Sequence, residues 1–388
     1  MKEWKKVKLG DVVSIKSGLL YKSEFIGKGD NLLLGMGCVS YKENFLDSGV
    51  RPYSQDCDPK YMAAPGDLVL ATRQQSDNLP ILAMPAIIPK KYLGKKIIIG
   101  TNLYRVENNS DIDNSFLFFV LKSHDYVNYI RGVKTGTTVQ MVSKHNVEEY
   151  RFLCPPKETR EYIVNILSRY DSLIENFQKQ IKLLEESAQR LYKEWFIDLR
   201  FPGHENVQIV DGVPEGWEKK NLGDITPIKT GKRDANFGTA DGEYPFFTCA
   251  QEPIKSPAYS FDTSAVILAG NGDFNVKLYR GKFEAYQRTY VLEPNDTNML
   301  YLLFFCVLEN MNRLATGASG STIKFLTKGM IESLDLYEPA VDTLCAFNMI
   351  VEPIQRQKES LSTQIRHLAE ARDRLLPKLM SGEVIVKR

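Results

Sequence analysis

An internal duplication constrains this 388-residue chain more than any other feature. WKKVKLGDVVSIKSG at 4–18 recurs as WEKKNLGDITPIKTG at 217–231, with eight identities in fifteen ungapped positions at an offset of 213. A second stretch repeats at an offset of 184, where TGTTVQMVSKHNVEEYRFLCPP at 135–156 matches SGSTIKFLTKGMIESLDLYEP from 319. The difference, 213 − 184 = 29, means that the first copy holds about that many extra residues in its middle. Similar ends around unlike centres are what two recognition modules with different targets require.

Each copy ends in a helical pattern. Ile163, Leu167, Tyr170, Ile174, Phe177, Ile181, Leu184, Ala188, Leu191 and Trp195 alternate at spacings of four and three, the seam of a coiled coil. Thr159 is a candidate N-cap and Phe201-Pro202-Gly203 a stop. The second seam is Phe347, Val351, Ile354, Lys358, Leu361, Ile365, Leu368, Arg372, Leu375 and Leu379. Its two charges disfavour a homomeric coil and can fix register or partner. Pro377 is expected to kink or end this helix. Each helix could pack on its own module, or the two could pair antiparallel within the chain. The helix–module–helix order favours pairing, with a strut of roughly 50 Å at 1.5 Å per residue.

The expected fold is therefore a tandem of α/β (α+β) modules, each followed by a long helix. Module one is 1–156, the spacer helix 157–201, a linker 202–213, module two 214–339 and the C-terminal helix 340–388. Short β-rich runs alternate with Gly, Pro and Asn turns, and each module has one apolar core helix, at 114–123 and 298–307. The longest apolar run, Met299–Leu308, is about half a bilayer crossing, and the start of the chain lacks a signal-like apolar stretch. Six scattered cysteines and four dispersed histidines give neither a disulfide framework nor a metal site, so a reduced, cytoplasmic protein without cofactor is expected.

The net charge of +2 carries no message, but its distribution does. Acid-free basic stretches run from 79 to 106 (Lys90, Lys91, Lys95, Lys96, Arg105), 126 to 147 (Arg131, Lys134, Lys144) and 310 to 331 (Arg313, Lys324, Lys328). Such stretches suit phosphate contacts. Base edges need forked or planar groups. Candidates are Arg73, Gln74, Gln75, Asp77 and Asn78 in the first module, and Asn271, Asp273, Asn275, Gln287 and Arg288 in the second. The turns around Thr137, Thr138 and Gln140, and around Ser321, Thr322 and Lys324, add hydroxyls, an amide and backbone N–H groups.

With these residues in view, the chain resembles the specificity subunits of type I restriction–modification systems. The Trp-x-x-x-x-Leu-Gly-Asp-x-x-x-Ile-Lys-x-Gly module starts carry the resemblance, with the Gly-(Thr/Ser)-Thr-(Val/Ile) turns and the helix tails at 183–203 and 368–384. It implies two target recognition domains reading the halves of a split double-stranded DNA sequence. The paired helices would space them and dock two methyltransferase subunits, with a motor-nuclease subunit joining for restriction. It places catalysis in those partners and none on this chain. The residues agree: no Asn/Asp-Pro-Pro-Tyr/Phe, no phosphate-binding Gly-x-x-x-x-Gly-Lys-Ser/Thr and no Pro-Asp followed by an acidic-x-Lys triplet is present. The competing reading is a coiled-coil adaptor that binds proteins rather than DNA.

Overall fold

The computed structural model describes residues 4–75, 80–320 and 324–384. The chain divides into two compact units, 1–177 with 363–388, and 178–362.

In the first unit, Val13–Ser17, Leu103–Asn108, Leu68–Ala71 and Pro85–Ile87 form an antiparallel sheet in that order. A second sheet orders Val50–Tyr53, Ile26–Leu34, Ile97–Ile99 and Met62–Ala63. The second unit has one six-stranded sheet, ordered Ile228–Thr230, Thr289–Leu292, Phe261–Ala269, Val276–Ala285, Tyr244–Phe247 and Ile254–Ser256. Three strands recur in register. Tyr104 lies between Ser17 and Leu70, and Tyr290 lies between Thr230 and Leu268. The offset thus drops from 213 at Ser17/Thr230 to 198 at Leu70/Leu268 and 186 at Tyr104/Tyr290. The extra residues of the first copy enter chiefly as two insertions of 15 and 12 (213 − 198 and 198 − 186).

The repeated module start has a mechanical reason. Its strand pairs with the last strand of the same module, Lys5–Lys8 with Arg151–Cys154 and Glu218–Asn221 with Asp335–Glu338. The Leu9 N–H then donates to the Tyr150 carbonyl at 2.7 Å, and the Leu222 N–H to Leu334 at 2.8 Å. The closing glycine has no room for a side chain. A Cβ on Gly18 would stand 2.1 Å from the Gly100 oxygen, and one on Gly231 would stand 1.9 Å from the Ala285 oxygen.

Each core helix is apolar on every side because it is enclosed. Asp113 caps Asn114–Lys122 through the Ser115 N–H, and Phe116 to Leu121 are all buried. In the second unit Leu300–Glu309 is buried from Leu300 to Val307. The long helices are Lys157–Tyr192, running on into a π-turn at Lys193–Ile197, and Val341–Ser381. Helix one starts two residues before the expected cap Thr159, immediately after Pro156, and its regular part ends well before Phe201. Helix two runs through Pro377. Leu375, Leu376, Leu379 and Met380 pack on the first unit's core there, which outweighs the roughly 3 kcal/mol that an internal proline costs. Every expected seam position is buried or half-buried, Lys358 and Arg372 included. The six cysteines are free thiols, and burial pushes Cys38 and Cys306 up to about 12. Among the described residues, no helix is long and apolar enough to cross a membrane.

Lys122 ends the first core helix with its ammonium turned inward, donating to the Glu43 carbonyl at 3.1 Å and lying over the Phe118 ring. Burial pulls its pKa down to about 8. The neighbouring Arg372 acts in the same direction, against Asp171, Asp373 and Glu43. Between that value and the ordinary 10.5 the unfolded chain holds the extra proton, so stability rises with pH across this window. Lys122→Met is expected to remove that rise in denaturation measured from pH 7 to 10. A steric test is independent of pH. Gly18→Ala and Gly231→Ala are each expected to cost about 2 kcal/mol or more in urea denaturation, since a rigid carbonyl opposes the methyl group.

Candidate nucleic-acid interface

In each unit the central strand runs out of the sheet and meets a tight hairpin. In the first, Arg73–Gln74 pairs with Gln140–Met141. Thr135 and Met141 exchange backbone hydrogen bonds at 2.9 and 2.8 Å. Gly136 makes the turn at φ +89°, where a Cβ would meet the Val139 oxygen at 2.2 Å. The Tyr104 hydroxyl donates to the Val142 carbonyl at 3.0 Å and pins the hairpin base. Ser143 then caps Lys144–Glu148 through the Asn146 N–H, which leaves Lys144 exposed in the first turn.

The second unit repeats this frame. Asn271 and Ser319 both bridge to Phe325, Gly320 turns at φ +105°, and the Tyr290 hydroxyl donates to the Leu326 carbonyl at 2.8 Å. Thr327 caps Lys328–Glu332 through the Met330 N–H. Arg73 and Asn271 therefore hold equivalent places, as do Lys144 and Lys328. The Thr72 N–H donates to the Asn102 carbonyl, and the Gly270 N–H to the Arg288 carbonyl, so Asn102 and Arg288 also correspond. A groove of about 510 Å³ opens here, lined by Gln287, Arg288, Phe325, Thr327 and Lys328 among others.

The expected contact residues sort by what they touch. Gln74 is buried. Its amide donates to Gln140 Oε1 at 2.7 Å, while its own Oε1 accepts from the Ile81 and Leu82 N–H groups at 3.0 and 2.9 Å. It ties the backbone at Ile81 and Leu82 to the hairpin, and the Lys134 ammonium joins the same Gln140 oxygen at 3.1 Å. These three residues buttress the hairpin from its inner side. Arg73 is half-buried with an unpartnered Nε, whereas Gln75, Thr137 and Thr138 are exposed. Asn275 is likewise a loop tie, donating to the Cys249 and Asp273 carbonyls at 3.0 and 2.7 Å. Gln287 is exposed and reaches Asp234 at 3.4 Å, Arg288 and Lys324 are exposed, and Lys328 pairs with Glu332 at 3.4 Å. Asp77, Asn78, Ser321 and Thr322 lie outside the described residues.

The acid-free stretch 79–106 is not acid-free in space. Lys91 pairs with Asp47, and Lys96 reaches Asp56 at 3.2 Å. Folding brings acids from the 47–56 region onto this turn, which linear charge counting does not detect, while Lys90 and Lys95 stay exposed. The two tyrosine pins were not anticipated, because they repeat at an offset of 186 that neither ungapped match covers. Among the described residues, no group of three or more His, Cys, Asp or Glu could hold a metal ion.

This doubled frame coincides with a family match. The model of the type I restriction modification DNA specificity domain fits residues 1–186 and again 214–359. The chain belongs to that family. Each matched stretch of the specificity domain contains one complete strand-and-hairpin frame. The chain is 40% identical over 178 residues to the type I restriction enzyme EcoDI specificity subunit of Escherichia coli, a match covering 44% of this chain and only 39% of that one. It is 30% identical over 334 residues to the MjaVIII specificity subunit of Methanocaldococcus jannaschii, covering 76% of each. Its fold is that of a type I S subunit from M. genitalium, with a TM-score of 0.57 at 16% identity over 97% of this chain.

The buttress has a measurable signature. Gln74→Ala strands the Ile81 and Leu82 N–H groups and is expected to cost about 2 kcal/mol in urea denaturation. Thr137→Ala, at the exposed tip, is expected to change stability by less than about 0.5 kcal/mol.

Proposed function

We propose that this chain is the DNA-specificity subunit of a type I restriction–modification enzyme, reading a bipartite target with one module per half. The carrying observation is the duplicated frame: two strand-and-hairpin platforms share anchors and differ in the side chains mounted on them. Shared elements suit the invariant part of DNA, its phosphates, through Lys144 and Lys328 and the hydroxyls of Thr137 and Thr138, to which Ser321 and Thr322 correspond in sequence. The private residues Arg73 and Gln75 in one module, and Asn271, Gln287 and Arg288 in the other, would meet bases, with Asn78 a further candidate from its place in the sequence. Lys90 and Lys95 add charge beside the first module.

The two long helices act, in this reading, as an antiparallel coiled coil that sets the gap between half-sites. Contacts within each unit support it. Ile163 and Leu167 share a cluster with Leu379, and Tyr192 and Trp195 share one with Phe347 and Val351, so rising numbers on one helix meet falling numbers on the other. The strut would also carry two methyltransferase subunits, to which a motor-nuclease subunit attaches. The chain itself supplies recognition without catalysis, in the cytoplasm where the DNA is.

Binding of the subunit, assembled with its methyltransferase, to cognate DNA tests this by its salt dependence. Lys144→Ala and Lys328→Ala are each expected to weaken binding to all sequences and to lower the slope of log K against log salt by about 1. DNA affinity that is absent or indifferent to salt contradicts the reading and favours a protein-binding adaptor.

A further inference from the structure

Two ion pairs interrupt the apolar seams of the long helices, one in each unit. In the first unit, Arg372 donates to Asp171 at 2.7 Å, with side chains only 13% and 9% exposed. In the second, Lys358 meets Glu185 at 2.8 Å, the lysine 17% exposed. The acids stand on helix one and the bases on helix two. From 171 to 185 and from 358 to 372 are two heptads each, so both pairs belong to one antiparallel register.

The repeat shows what each charge would meet in the wrong partnership. At the offset of 184, Asp171 corresponds to Gln355, Glu185 to Ala369, Lys358 to Ile174 and Arg372 to Ala188. Two copies of helix one in the same register would set Asp171 against Ala188 and Glu185 against Ile174. Two copies of helix two would set Arg372 against Gln355 and Lys358 against Ala369. Either like-with-like pair leaves every one of these charges without its counter-charge on the partner helix, a costly arrangement for the protected ones. Only unlike helices satisfy all four.

We infer that Asp171–Arg372 and Glu185–Lys358 are a partner-selection device: each long helix accepts the other and rejects a copy of itself. The duplication creates the need for it, since two similar apolar seams in one chain could otherwise pair like with like between chains. The device rests on the pairing of the helices and not on DNA reading, and it is tested without DNA.

The test uses full-length chains, all carrying Lys122→Met so that reversal at 171 meets no third cation. One variant makes helix one basic (Asp171→Arg, Glu185→Lys), and another makes helix two acidic (Lys358→Glu, Arg372→Asp). Alone, each is expected to melt about 10 °C below the parent, because like charges then face each other. All four reversals in one chain restore the parent melting temperature. The two double variants, co-expressed with different tags, co-purify near one to one by exchanging unlike helices, while parent chains co-purify only in trace. Double variants that melt like the parent and do not co-purify overturn the inference. A fourfold variant as unstable as the doubles overturns it as well, since complementarity of charge would then be irrelevant.

Discussion

Neither module closes its core alone. The first unit's core takes Ile163 and Leu167 from helix one and Leu379 from helix two. The second takes Ala188, Tyr192 and Trp195 from helix one and Phe347 and Val351 from helix two. Burial of these side chains, at roughly 1.5–3 kcal/mol each, ties every module to both helices. Helix identity, register and module folding are therefore one problem. The two seam ion pairs address its specificity, because apolar matching alone does not distinguish one repeat's helix from the other's.

Above that shared base, each module separates frame from message. Backbone pairing, a left-handed glycine and a tyrosine hydroxyl fix the hairpin, and none of these depends on the side chains displayed beside it. The Arg73/Asn271 and Asn102/Arg288 correspondences show unlike residues mounted on equivalent backbone positions. A duplicated frame can diverge in its readout without refolding, because the stabilising contacts lie elsewhere.

Much of this was legible in the sequence. Heptad spacing marked seam positions that are all buried or half-buried, since burial on a helix follows a simple period, but it passed over Asp171, Tyr192 and Gln355, which are buried beside the seam. The offsets of 213 and 184 marked the module ends, where close packing around Gly18 and Gly231 leaves no freedom to drift. The centres were less legible: the sheet containing Ile26–Leu34 and Val50–Tyr53 in the first unit has no counterpart pattern at either offset. Polar type alone does not reveal that Gln74 is buried, its amide bonded to Gln140 and to the Ile81 and Leu82 N–H groups. Linear charge misled at Lys91 and Lys96, because their acids come from forty residues or so upstream. Helix two continues only four residues past Pro377, to Ser381, where Leu379 and Met380 pack on the first unit's core.

The central claim is that two modules read two halves independently. Exchanging residues 214–339 for the corresponding stretch of a relative with a different target, followed by genome-wide mapping of methylated bases in cells that supply the methyltransferase, tests it most directly. The account expects a split motif in which one half-site changes while the other half and the gap stay as they were. A chimaera that folds and methylates with both halves altered, or with neither altered, would contradict it.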